Sequence, residues 1–174
     1  ALYLRDEETG HFWSPSPLPA RAAMSYVTRH GFGYSVFETE VGGISSELWV
    51  YVAMDAAVKF SVLKIRNKSG RPRQLSATGY VEWVLGDLAA KSAMHVVTEI
   101  APESGALYAR NPFNAEFAER VAFFDVDTPT RNLSGDRTEF IGQGGDLSTP
   151  RALRTSEELS GRTGAGFDPC LALQ

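Results

Sequence analysis

Residues 57–86, AVKFSVLKIRNKSGRPRQLSATGYVEWVLG, decide the class of the fold. Residues 58–67 and 74–85 alternate apolar and polar side chains and are rich in β-branched and aromatic types, whereas the linker at 68–73 carries a Gly and a Pro that suit a turn and cannot continue a ladder. The two runs are expected to form a hairpin. On the second run Leu75, Ala77, Gly79, Val81, Trp83 and Leu85 share one face, which is expected to be core with Trp83 and Leu85 buried. Tyr80 and Glu82 then stand on the outer face beside Ser76 and Thr78. An aromatic and a carboxylate two residues apart suit a sugar-facing sheet and equally an ordinary exposed pair.

Toward the N-terminus, residues 44–53 place Leu48, Val50 and Val52 on one face and Glu47, Trp49 and Tyr51 on the other, so both faces are expected to be partly covered. Residues 26–40 alternate until Gly31 and Gly33 interrupt them, which predicts a bulge or a close approach by another backbone or a ligand. Around that break Arg29, His30 and Tyr34 offer a forked cation, an imidazole and a phenol, the donor set that recognises hydroxyls or phosphate; a satisfied buried His beside a surface Arg reads the same residues. Pro15, Pro17 and Pro19 predict an extended strap, and Trp13 at its start is either a stacking platform for a pyranose ring or the residue that packs the strap down.

Toward the C-terminus, residues 87–92 suit a short helical turn and 94–100 read as strand, with His95, Thr98 and Glu99 around apolar Val96 and Val97. Short strands are expected at 106–109 and 120–126, with an Asn-Pro turn between them. From Asp127 onward Gly, Ser, Thr, Asp and Pro predominate, and long ordered loops anchored by Phe140, Leu147, Leu153 and Phe167 are expected. Many strands, few helices and frequent Gly or Pro punctuation make the class all-β with two stacked sheets.

The chain has 174 residues, the size of one domain, so residues 1–174 are expected to form a single β-sandwich domain. With 17 basic and 21 acidic side chains the net charge is −4, which gives no field to hold a phosphate backbone, so no nucleic-acid partner is expected. Cys170, the single cysteine, has no partner for an internal disulfide, and no apolar run approaches the ~20 residues of a membrane helix. No nucleophile elbow, phosphate-binding glycine loop, zinc-protease motif or Cys/His metal spacing occurs, so neither a zinc nor a nucleophilic-serine enzyme is expected, and no metal or cofactor. Glu38, Glu40, Glu47, Glu82, Glu99, Glu116 and Glu119 could supply an acid and a base for glycoside chemistry, but spacing in sequence does not pair them. With neither an initiator Met nor a helix cap or tail after Gln174, the ends are expected to be cuts in a longer chain.

Six phrases in order, FWSPSPLPA, RHGFGYSVFE, YVEWVLG, RNPFNAEF, SGDRTEFIG and GAGFDPCLALQ, resemble the amino-terminal β-sandwich domain of the cellobiose and chitobiose phosphorylase family, in particular the phosphorylase-like region of bacterial cyclic β-1,2-glucan synthases. The resemblance implies an all-β supersandwich like that of galactose mutarotase, followed in the parent chain by a helical barrel that carries the catalytic machinery. It implies a non-catalytic, carbohydrate-facing domain that shapes a β-glucan site, contacts that barrel and contributes to a homodimer, without direct membrane contact. The parent would lie at the cytoplasmic side of the bacterial inner membrane. Substrate-binding candidates are Trp13, Arg29, His30, Tyr34, Tyr80, Glu82, His95, Thr98 and Glu99. Two other readings are a self-sufficient mutarotase-like enzyme, with His30 or His95 and Glu82 as acid and base, and a pure assembly module.

Overall fold

Two-residue turns organise the first half of the chain. In the computed structural model, which describes residues 1–128, 131–155, 157–166 and 168–174, the contacts fall into two units, Ala1–Ala77 and Thr78–Gln174. Phe167 is therefore outside the described residues. The first unit opens with β1 (Leu2–Asp6) and β2 (Phe12–Trp13), paired antiparallel with Leu4 opposite Trp13. Then β3 (Tyr26–Gly31), β4 (Tyr34–Val41), β5 (Ile44–Val52) and β6 (Lys59–Asn67) form an antiparallel sheet in chain order. Phe32-Gly33 turns β3 into β4, and Gly42-Gly43 turns β4 into β5. Both glycines of the second turn have positive φ, +56° and +81°, the hand that matches strand twist in a two-residue hairpin. Leu4, Trp13, Ala22, Val41 and Ile44 form the core of this unit, with Tyr26, Leu63 and Leu75 packed against them.

The expected hairpin across residues 58–85 does not form. β6 pairs with β5 along its whole length, whereas β7 (Leu75–Glu82) pairs through Gly79 to Glu82 with a strand from the far end of the chain. The linker is tied down locally: the Lys68 amide donates to Gly43 O at 2.7 Å, Asn67 Nδ2 donates to Arg71 O at 2.7 Å, and Arg73 reaches the Asp6 carboxylate. Those bonds send the chain toward β1 instead of back along β6. The proline strap also differs from expectation. It closes on itself as a loop, the Ser14 amide donating to Ala20 O at 2.7 Å and the Ala20 amide to Ser14 Oγ at 3.2 Å.

The second unit begins within β7. It continues through α1 (Ala89–Ser92), a 3₁₀ turn at Ala93–His95, and β8 (Val97–Ile100), β9 (Leu107–Arg110) and β10 (Ala122–Phe124), an antiparallel sheet with β9 in the middle. Beyond Asp127, where loops were expected, the chain forms β11 (Leu133–Asp136), α2 (Arg137–Ile141), α3 (Arg151–Thr155) and β12 (Pro169–Leu173). β12 lies between β11 and β7 and is buried along its whole length. One face of this ladder packs Leu107, Leu133, Leu171 and Leu173 with Val81, Trp83 and Phe124; on the other, Tyr80 stacks on Phe140 of α2 with ring centroids 5.1 Å apart. Because both faces are covered, alternation along β7 does not separate inside from outside: Tyr80 is 2 % exposed, while Trp83 and Leu85 are only half-buried. The chain is all-β as expected, mostly strands in antiparallel sheets with few and short helices.

Candidate functional site

The strand register of the first unit gathers one open face. Residues directly opposite in antiparallel strands point to the same side, so Arg29, Tyr34, Val36, Glu38, Glu47, Trp49, Tyr51, Phe60, Val62 and Lys64 share it. At the upper end the rings lean along the sheet. A Cβ on Gly31 would lie 2.3 Å from Tyr34 Cε1 and Cζ, so the Tyr34 ring rests on the bare glycine. Its other side stacks on Trp49 at 5.3 Å, and Lys64 Nζ stands 5.1 Å from the Trp49 centroid. Gly31, Tyr34, Trp49 and Lys64 thus form a ladder across all four strands, and Tyr51 with Phe60 forms a second stack at 5.3 Å. Neither a bulge nor another backbone explains Gly31: β3 keeps its register with β4 to that residue, and what comes close is the Tyr34 side chain of the same sheet.

The lower half of that face is polar. Ser25, Val27, Glu38, Thr39, Glu40, Ser45, Ser46 and Glu47 line a shallow depression. Each of its three carboxylates holds a cation: Arg29 forks onto Glu38 at 2.7 and 2.6 Å, Lys68 reaches Glu40 at 2.7 Å, and Lys64 reaches Glu47 at 3.2 Å. The indole N–H of Trp49 also donates to Glu47, and this bond, with Lys64, holds the Glu47 carboxyl below the usual carboxylate range. The fork from Glu38 raises the Arg29 guanidinium further above its ordinary value. Ion-paired carboxylates of this kind accept hydrogen bonds from hydroxyl groups through their remaining lone pairs.

Of the predicted binding residues in this unit, Arg29 and Tyr34 lie on the open face. His30 points to the opposite face, with Nδ1 2.9 Å from Ser35 Oγ and its ring edge-on to Phe37. Trp13 is 1 % exposed and stacks beside His11 at 5.6 Å, so it offers no surface to a sugar ring; the packing alternative is the one the structure takes. Tyr34 offers its hydroxyl and one edge, because both faces of the ring are occupied. Glu38, Glu47, Trp49 and Lys64 complete the face.

The second unit holds the remaining candidates in separate places. Tyr80 donates to Glu82 Oε1 at 2.8 Å, Arg137 Nε donates to the same oxygen at 3.1 Å, and Arg137 Nη1 stands 3.6 Å from Asp168 Oδ2. Burial, then the neighbouring Cys170 and Glu82, push the Tyr80 phenol far up, so it stays neutral and is no outward-facing ring. Thr98 is buried as a clamp: Oγ1 accepts from the Gly164 amide at 3.1 Å, and the Thr98 amide donates to Gly164 O at 3.0 Å. Glu99 pairs with Arg110 at 3.3 Å in the open, and His95 tilts against Phe113 at 4.7 Å. Asp136 caps α2 by accepting from the Thr138 amide at 2.9 Å and holds Arg162 at 3.0 Å. Burial and then the Asp136, Asp168 and Glu82 carboxylates raise the Cys170 thiol, which keeps it protonated and unreactive. Among the described residues no group of His, Cys, Asp and Glu could hold a metal ion, and no helix is long and apolar enough to cross a membrane.

Comparison with known proteins gives a consistent neighbourhood. The family described as glycosyl hydrolase 94, supersandwich domain, matches residues 1–174. The chain is 34 % identical over 174 residues to the cyclic beta-(1,2)-glucan synthase NdvB of Rhizobium meliloti (strain 1021), covering 99 % of this chain and 6 % of that protein. It is 31 % identical over 163 residues to the N,N'-diacetylchitobiose phosphorylase of Vibrio furnissii and 30 % over 158 residues to the solabiose phosphorylase of Paenibacillus borealis, in each case covering 87 % of this chain and 20 % of the relative. The chain therefore spans a fifth or less of the length of these relatives.

Proposed function

Because the chain belongs to the glycosyl hydrolase 94 supersandwich-domain family, we propose that it is the carbohydrate-facing, non-catalytic β domain of a larger glucan synthase or glycoside phosphorylase. The reading rests on the open face of the β3–β6 sheet, where a depression with three ion-paired carboxylates adjoins an ordered aromatic ladder. Such a surface accepts hydrogen bonds from a row of sugar hydroxyls and holds their geometry, while the chemistry is done by another part of the parent protein, a helical catalytic barrel. The glucan synthase relative makes a β-1,2-glucan the first ligand to try, and a parent of that kind would work at the cytoplasmic side of the inner membrane.

Each sugar hydroxyl bond replaces one to water, so the net gain is about 1 kcal/mol per bond and an open face binds weakly. A dissociation constant on the order of millimolar, ~4 kcal/mol, is expected for β-1,2-glucan oligosaccharides. The test is an amide-shift titration of the isotope-labelled chain. Shifts at Val27, Arg29, Glu38 and Glu47, weakened in Glu38→Gln and Glu47→Gln, support the reading. Shifts confined to the second unit, or none at tens of millimolar ligand, reject this face as the glycan surface.

A further inference from the structure

Beyond α3 the chain returns through SGRTG at 160–164, a stretch with no apolar side chain between Leu159 and Ala165. It forms no regular ladder, yet it bonds to two edge strands. The Gly161 amide donates to Leu133 O at 2.8 Å and the Gly135 amide to Arg162 O at 2.7 Å, which ties the stretch to β11. The Thr98 amide donates to Gly164 O at 3.0 Å and the Gly164 amide to Thr98 Oγ1 at 3.1 Å, which ties it to β8. β8 and β11 are edges of different sheets. Leu107 of one sheet packs with Leu133, Leu171 and Leu173 of the other, so the stretch runs along the seam where the two sheets stack. There the bare Cα of Gly135 lets three chain segments meet: a Cβ on it would lie 2.8 Å from Thr98 Oγ1 and 3.2 Å from Arg162 O.

The near end of the stretch is fixed to a helix. Glu139 is the third residue of α2, whose cap is Asp136, and a carboxylate at that position ordinarily reaches back to the amide of the capping residue. Here the Asp136 amide donates to Ser134 Oγ at 3.2 Å instead, and that hydroxyl donates on to Glu139 Oε2 at 2.5 Å. Glu139 is thereby free to reach outward: Oε1 accepts from the Ser160 amide at 2.7 Å and Oε2 from Ser160 Oγ at 2.9 Å. Arg162 adds an ion pair to Asp136 at 3.0 Å. Ser160, Gly161 and Arg162 are exposed, whereas β12 in the same unit is buried along its whole length. A stretch held at the surface by hydrogen bonds opens far more often than such a strand. Gly161 and Gly164, at φ +74° and +135°, add conformational freedom to the open state.

From these contacts we infer that residues 160–164 are a latch across the seam, keyed at Glu139, which opens as one unit and releases β8 and β11 together. Closed, it fixes Thr98 and so the start of β8, into which the turn at Ala93–His95 runs; open, it leaves β8 with its pairing to β9. Native-state hydrogen exchange of the intact chain in a series of low urea concentrations tests it. The amides that bond across the seam, those of Thr98, Gly135, Gly161 and Gly164, belong to three separate segments. They are expected to share one opening constant, about a hundred-fold or more above that of Leu171 in β12 and nearly independent of urea, because little surface is exposed. Glu139→Ala is expected to raise that constant about ten-fold at all of them, although the Glu139 carboxylate bonds to none of these amides. Thr98→Val raises it from the other end, at Gly135 and Gly161 as well, and Thr98→Ser, which keeps the hydroxyl, restores it. Acceleration confined to Gly161 in Glu139→Ala, with Thr98 and Gly164 unmoved, resolves the latch into independent contacts and overturns the inference. So do opening constants equal to that of Leu171 and steeply dependent on urea, which mean that the seam parts only when the whole unit unfolds.

Discussion

Trp13 and Gly31 carry opposite lessons at the level of single residues. Trp13 fills the core between Leu4, Val41 and Ile44, so Trp13→Ala is expected to cost ~3 to 5 kcal/mol in a denaturant melt. Its indole N–H has no hydrogen-bond partner among the described residues, and Trp13→Phe, which removes that donor, should cost less than half as much. Gly31 matters for the atom it lacks. In Gly31→Ala the new Cβ would meet the Tyr34 ring at 2.3 Å, and the resulting crowding should cost ~1 to 3 kcal/mol. In the Gly31→Ala, Tyr34→Ala double variant the clash is gone, so the two costs should fail to add, and a double-mutant cycle measures the difference. Arg29 and Tyr34 were legible as candidates from their donor groups alone. Glu38 and Glu47 were visible only among seven carboxylates that spacing did not pair, and Trp49 and Lys64 were not candidates at all, because membership of the face depends on register. The signal for it was present: counting outward from the Gly42-Gly43 turn sets Tyr34 opposite Tyr51 and Glu38 opposite Glu47.

Among the elements, the linker between β6 and β7 separates what the sequence can say from what it cannot. Both strands were visible from alternation, and so was a turn at Gly70 and Pro72, yet a linker with those residues fits a hairpin and a crossover equally well. The choice is made by Arg73, whose guanidinium is buried against Asp6 at the end of β1. Removing one member of a buried ion pair strands the other charge, so Asp6→Asn is expected to lose ~3 to 5 kcal/mol in denaturant unfolding. Replacing both with apolar residues of similar volume should cost less than either single change. The late strands were missed for a different reason. β11 and β12 are four and five residues long, and their neighbours in space come from distant positions, so a Gly-rich composition outweighed their short apolar runs.

For the whole molecule, the shifted groups define a pH window of stability. Burial alone would raise the Asp6 carboxyl, but the Arg73 hydrogen bond, the Glu8 amide and the charge of Arg73 together hold it below its ordinary 3.8. Its stabilisation is therefore present above about pH 4 and is lost as pH falls through the folded value. Cys170 and Tyr80 work at the other end: both are raised from their ordinary 9.0 and 10.0, so the folded state is increasingly disfavoured once pH exceeds the unfolded values. Thermal midpoints measured across pH should form a plateau between about 4 and 9 that falls on both sides, and Asp6→Asn should flatten the acid limb. The all-β class, in contrast, was readable from strand patterns alone, because alternation and turn residues recur along the chain whichever strands pair.

The Trp49 ladder also makes the chain its own optical instrument. Of the three tryptophans, Trp13 and Trp83 keep their indole N–H groups buried, while Trp49 lies on the open face with a phenol on one side, an ammonium on the other and a carboxylate on its N–H. An anionic quencher drawn to Lys64 should extinguish the Trp49 share of the emission first. Anything that settles over Glu47 and Lys64 should shield that share and shift its colour, so occupancy of the face can be followed by light without attaching a label.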